Sequence, residues 1–161
     1  LYIEMKKEEL LQKIEEDINS GSLEKAKERC RTLIGIYPND LKLREILAEI
    51  YYRMDQQVMA GRYWYLKENK TLEIRNAVDK FRKAHKNNLC TIRRLVSKKI
   101  DIKKIESNYA RNILKDLNKF CDKEEKKLSR RGLFSSIIVI VGVIIILSMC
   151  IGCVIKLILG S

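Results

Sequence analysis

The sequence predicts an all-α protein of short amphipathic helices followed by one C-terminal transmembrane helix, and three observations predict it. Ahead of residue 130, apolar residues recur three and four positions apart, the spacing of a helix face. Turn and cap signals such as Asn19-Ser20-Gly21, Tyr37-Pro38 and Asn87-Asn88 break that pattern at short intervals. Residues 133–155, LFSSIIVIVGVIIILSMCIGCVI, then run 23 residues without a charge. Rising about 1.5 Å per residue, such a helix measures about 34 Å and spans a hydrocarbon core of roughly 30 Å.

The first helix carries Leu10, Leu11, Ile14 and Ile18 on one stripe and stops at Gly21. Ser22 is a cap for the second, whose stripe is Leu23, Ala26, Cys30, Leu33 and Ile34. Asn39 or Asp40 caps the third, with Leu43, Ile46, Leu47, Ile50, Tyr51 and Met54 facing inward. The fourth runs from about Gln57 to Leu66 and contains Ala60, Tyr63 and Trp64. Two capping helices are expected over residues 72–85 and 89–97. A narrower stripe, Tyr109, Ile113, Leu117, Phe120, Cys121 and Leu128, marks a last helix over 107–128, with Gly132 as a joint. The expected divisions are 1–70, 71–106 (basic capping helices), 107–132 (amphipathic stalk) and 133–159 (transmembrane helix).

The first four helices repeat. Counting Leu41 as the first of 34 positions, Leu47, Ala48, Tyr51, Ala60 and Trp64 fall at 7, 8, 11, 20 and 24. A unit begun at Lys7 puts Ala26, Cys30 and Pro38 at 20, 24 and 32. This resembles the tetratricopeptide repeat, in which small residues at 8 and 20 let an antiparallel helix pair approach closely. The first unit departs from it, with Ile14 where a small residue is usual and Asp17 where an aromatic is usual. A third unit fails, because Arg82, Arg94 and Lys98 would fall at core positions; two repeats need capping helices to bury their ends. The segment Ala60-Gly61-Arg62-Tyr63-Trp64-Tyr65-Leu66 is similar to an AGRYWYL-type stretch in a group of uncharacterised bacterial proteins.

Charge is uneven. Residues 1–70 hold 13 Lys/Arg and 13 Asp/Glu, whereas residues 71–132 hold 19 and 8. Lys123, Lys126, Lys127, Arg130 and Arg131 crowd one side of the uncharged run and only Lys156 follows it. The positive-inside rule then sets the N-terminal module in the cytoplasm of a single-pass cell-membrane protein. Membrane lipid is the first expected partner of the basic half, since a nearby cation is worth about 1 kcal/mol over anionic headgroups. Nucleic acid is the rival partner. Ser148 and Gly152, with Gly142, offer a small-residue face for a homo-oligomer through the span. The N-terminus shows no signal-peptide pattern.

No enzyme site is legible, and no metal or cofactor is expected. His85 is the sole histidine, no phosphate-cradling glycine loop occurs, and Glu15, Glu16 and Asp17 point in different directions on a helix. Cys30, Cys90 and Cys121 read as thiols among core residues, and Cys150 with Cys153 as packing within the span. The repeat resemblance implies a concave groove on the first helix of each pair, where Glu8, Glu15, Lys42, Glu45, Glu49, Tyr52 and Arg53 stand. An unidentified protein partner, basic or amphipathic, suits that groove, unless the chain's own later helices fill it. The function expected is therefore a membrane-anchored, cytoplasm-facing helical-repeat adaptor for protein–protein interaction. The alternatives are a membrane-active effector or regulator in bacterial conflict or phage defence, with an oligomerising transmembrane helix, and a nucleic acid-to-membrane tether.

Overall fold

The computed structural model describes residues 2–130, and the side chains of residues 6–130. The expected transmembrane helix at 133–159, with Arg131, Gly142, Ser148, Cys150, Gly152 and Cys153, lies outside the described residues. Among those that are described, no helix is long and apolar enough to cross a membrane. The chain divides into two units, Leu1–Phe120 and Cys121–Ser161.

The described residues are helical and contain no strand. In the first unit, α1 (Tyr2–Asn19), α2 (Leu23–Ile36), α3 (Leu41–Arg53), α4 (Gln57–Trp64), α5 (Leu72–Ala84) and α6 (Leu89–Val96) follow one another, then a 3-10 turn at Ile102–Lys104. A further helix, α7, begins at residue 108 and fills the rest of the unit. In the second unit residues 121–130 are helical.

Local chemistry sets the boundaries. Asp40 caps α3 by accepting from the backbone N–H groups of Lys42 (2.9 Å) and Leu43 (3.3 Å). Thr71 accepts from Ile74 at the start of α5, and Asn88 from Thr91 at the start of α6. Ser22, expected as a cap for α2, occupies that position without a side-chain hydrogen bond. Gly21 takes φ 75°, the left-handed turn that ends α1. The expected α4 ends earlier, at Trp64, because Leu66 turns away to join a different cluster of buried side chains.

Neighbours in sequence pack on one another from α1 to α5, and α4 also meets α6. One core joins Ile14, Ala26, Cys30, Leu33, Leu43, Leu47, Ala48, Ile50, Tyr51, Ala60 and Trp64 to Ile74, Ala77 and Val78 of α5. The second gathers Leu66, Phe81, Ile92, Val96, Ile105, Ala110, Leu114 and Leu117. Arg82, Arg94 and Lys98 are exposed, so the capping helices turn other residues inward.

The α4–α5 crossing is the tightest. A Cβ at Gly61 would lie 2.0 Å from the carbonyl oxygen of Ala77, so only glycine fits. Where the repeat pattern wants an aromatic, Asp17 forms an ion pair with Arg29 of α2. Cys30 is a buried thiol donating to the Leu43 carbonyl oxygen at 3.3 Å, and burial first, then the Asp40 charge, pushes its pKa up to about 12. Cys90 of the first unit is disulfide-bonded, as is Cys121 of the second, which corrects the expectation of thiols at these positions; nothing in the sequence spacing signals it.

Candidate functional site

The first unit carries an open cleft of about 760 Å³. Its walls are the start of α1, the α2–α3 turn, the first turn of α3, the α4–α5 connection and residues 104–107. The α2–α3 turn sits there because Pro38 lacks an N–H to continue α2 and Asp40 begins α3. Four lysines (Lys7, Lys42, Lys67, Lys104) and four carboxylates (Asp40, Glu45, Glu68, Glu106) line it. Ile36, 59% exposed, and Tyr37 add an apolar edge.

Two ion pairs fix its walls. Lys7 Nζ lies 2.7 Å from Asp40 Oδ2 and 5.1 Å from the centre of the Tyr37 ring. The hydrogen bond to Asp40 raises the Lys7 pKa against the lowering effect of burial. Burial pushes the Asp40 carboxyl up, but Lys7 and the backbone N–H groups of Leu43 and Lys42 outweigh it and hold the carboxyl below its ordinary value. Lys67 pairs with Glu45 across the α3 to α4–α5 gap. Lys70 points to Tyr109, with its Nζ 5.0 Å from the ring centre.

The seven residues expected to line one groove are divided. Lys42 and Glu45 line the large cleft, whereas Tyr52 borders a smaller pocket of about 290 Å³ with Gln57, Glu73 and Lys83. Glu8 and Glu15 are exposed on α1 and line neither. Glu49 and Arg53 pair with each other one turn apart at 3.1 Å. Tyr52 rests on Trp64, ring centres 5.4 Å apart. Trp64 is core, and both its neighbours are half-buried: Tyr63 stacks on Tyr51 at 5.7 Å and Tyr65 meets Phe81 at 6.1 Å. His85 ends α5 with its ring 4.9 Å from that of Phe81.

In the second unit Lys123, Lys126, Lys127 and Arg130 are exposed on helical backbone; Arg131 lies outside the described residues. Sequence reading missed Lys7 and Asp40 as a cleft pair, because they stand 33 positions apart and meet only when α1 packs on α2. It also missed Arg44, which is buried and donates through Nε and Nη2 to the Pro38 carbonyl oxygen (3.3 and 3.2 Å) and through Nη2 to that of Lys98 (3.3 Å). The signal was present: Arg44, Leu47, Ala48 and Tyr51 share one helix face at spacings of three, four and seven.

No curated protein and no solved structure matches the chain. A protein family described as a family of unknown function, DUF6584, matches residues 5–158, a stretch that takes in nearly all of the helical module and the whole of the uncharged run. The chain belongs to the DUF6584 family of unknown function.

Proposed function

We propose that the chain is a membrane-held helical adaptor whose large cleft docks a polypeptide partner. The open cleft carries this reading: its alternating lysines and carboxylates and the adjoining Ile36 and Tyr37 suit a segment with charges of both signs and one apolar side. We further read α1–α4 as two tetratricopeptide-like pairs. Ala26 and Ala60, and Cys30 and Trp64, stand 34 residues apart and all four are buried, which supports that register.

The transmembrane part of the proposal rests on residues 133–159, whose uncharged run falls within the family match. Two signals bear on orientation and disagree. The cations from Lys123 to Arg131 favour a cytoplasmic module, while disulfide-bonded Cys90 and Cys121 favour an oxidising compartment. We follow the charges, which lie next to the expected span and act during insertion.

A photo-crosslinker placed at Lys42 or Asn69 in the full chain, in native membranes, should capture one protein species that the same group at Lys25 does not. Equal capture from both faces would remove the cleft from the proposal. Deleting residues 132–161 should shift the chain from the membrane to the soluble fraction. Retention after a high-salt wash would show that the anchor lies elsewhere. Labelling of single exposed cysteines from each side of the membrane decides the orientation.

A further inference from the structure

A third concavity, about 220 Å³, opens between the end of α2, the first half of α3, α4 and the turn after α6. Five cations line it, Arg31, Arg44, Arg62, Lys98 and Lys99, and no carboxylate does. Arg31 pairs with Glu28 at 3.1 Å, which leaves Arg44, Arg62, Lys98 and Lys99 as the pocket's cations without a carboxylate partner. Gathering like charges costs free energy unless an anion offsets them.

The geometry is built rather than incidental. Arg44 is buried at 6% exposure, and the hydrogen bonds it makes are to carbonyl oxygens, those of Pro38 and Lys98, so its charge is held in place without being neutralised. Arg62 is fixed by its Nε donating to the Leu95 carbonyl oxygen at 3.0 Å and by Tyr63, whose ring centre is 5.4 Å from its guanidinium carbon. Lys98 and Lys99 have no hydrogen bond or ion pair through their side chains among the described residues. Lys99 takes φ 65° in the turn after α6, as Asp55 does after α3 and Lys86 and Asn87 do after α5, so glycine suits its backbone.

Gly35 adds an independent observation. It stands in the last turn of α2 on the pocket wall, and a Cβ built there would meet nothing within 4 Å. No packing contact requires glycine, and glycine costs a helix about 1 kcal/mol relative to alanine. A side chain added there would stand in open space at the pocket wall.

We propose that this pocket binds a phosphate-bearing anion, through the remaining Nη1 donor of Arg44, the Nη1 and Nη2 pair of Arg62, and the ammonium groups of Lys98 and Lys99. Guanidinium groups held at fixed angles match phosphate oxygens in pairs, and lysines add point charge. The volume is below the roughly 300 Å³ of a drug-sized site, so it takes one phosphate or pyrophosphate group rather than a whole nucleotide. That group belongs either to a soluble phosphorylated compound or to an anionic lipid headgroup. The proposal does not rest on the adaptor reading of the large cleft.

Calorimetric titration of the full-length protein in zwitterionic nanodiscs with pyrophosphate, and flotation with nanodiscs containing phosphatidic acid, would test it. Saturable one-to-one binding of either probe is expected. It should weaken at least tenfold in Lys98→Ala/Lys99→Gly, where glycine suits the backbone, and in Gly35→Glu, where the added carboxylate meets open space and competes for the cations. Gly35→Gln should weaken it less than Gly35→Glu, and Lys115→Ala/Lys119→Ala, which removes the same charge elsewhere, should change it less than threefold. Binding of pyrophosphate alone assigns a soluble ligand, and a preference for phosphatidic acid assigns a headgroup. The proposal is overturned if neither probe saturates, if the Lys115/Lys119 variant loses as much as the Lys98/Lys99 variant, or if a short oligonucleotide binds through the same residues more tightly than pyrophosphate.

Discussion

Between Lys7 and Lys67, four ion pairs of this module are spent on its own fold. Lys7 meets Asp40, Arg29 meets Asp17, Arg53 meets Glu49 and Lys67 meets Glu45. At the turn after α6, by contrast, Lys98 and Lys99 stand beside Arg44 and Arg62 with no carboxylate in the pocket they share. The same residue types therefore do different things in the two regions. In the first, three of the four ion pairs join different parts of the fold and the Arg53–Glu49 pair lies within α3; in the second, positive charge is left available to something outside the chain. Packing differs in parallel: the first core is closed by small residues where helices cross, and the second by short helices held by caps such as Asn88 and Ser107.

The largest expected effects fall on the first region. Trp64→Ala should cost about 3–5 kcal/mol, since the ring is 5% exposed and fills the space between α3 and α4. Gly61→Ala should cost about 3 kcal/mol, because the methyl would overlap the Ala77 backbone and only a shift of α5 relieves it. Ala48→Leu should cost about 1–3 kcal/mol by overpacking. Chemical denaturation of the full chain in detergent measures all three. If the Trp64 and Ala48 variants melt like the parent, the proposed repeat register is wrong; a neutral Gly61→Ala would sink the close α4–α5 crossing.

An intermediate effect tests the joint between the two regions. Arg44→Met keeps much of the apolar stem but leaves the carbonyl oxygens of Pro38 and Lys98 without their donor. About 2 kcal/mol of destabilisation is expected, the usual scale for hydrogen bonds to a charged group. Faster amide exchange near residues 97–100 should accompany it, because Arg44 is what holds that turn to α3. An unchanged exchange pattern would separate the two regions mechanically.

How legible all this was in the sequence follows from the range of the interactions. Helix positions were readable because they depend on neighbours three or four residues away: α5 and α6 fall at Leu72–Ala84 and Leu89–Val96 against the expected 72–85 and 89–97. The buried positions Ala26, Ala48, Ala60 and Trp64 were readable for the same reason. The 3-10 turn at Ile102–Lys104 was not, since its stretch is charged and its one deeply buried residue nearby, Ile105, is held by Phe81 and Leu114 of other helices. The concavities were legible only in fragments. Lys42 and Glu45 were singled out, but the large cleft also needs Lys7 and residues 104–107. The basic pocket brings Arg44 within reach of the Lys98 backbone across 54 positions, a separation that no local pattern encodes.

The smallest effect is carried by the Lys7–Asp40 pair, and pH separates its two contributions. Asp40 both caps α3 and pairs with Lys7. Asparagine caps as well as aspartate, so Asp40→Asn should remove the pair and keep the cap. The folded carboxyl titrates below its ordinary value, so its stabilisation is present above about pH 3.9 and is lost as pH falls through the lower folded pKa. The Lys7 pKa is raised, so its share is present below about pH 10.4 and is lost as pH rises through the higher folded pKa. Between those limits the part-buried pair should be worth about 0.5–1 kcal/mol, the upper part of the range for such contacts. Asp40→Asn should therefore be less stable than the parent by that amount at pH 7, and the gap should narrow towards pH 2 as pH falls through the lowered folded pKa of the parent's carboxyl. Denaturant unfolding of both proteins at the two pH values measures the difference. A gap of the same size at pH 2 would mean that asparagine caps α3 less well than aspartate, and that the ion pair holding α1 to the start of α3 contributes nothing measurable.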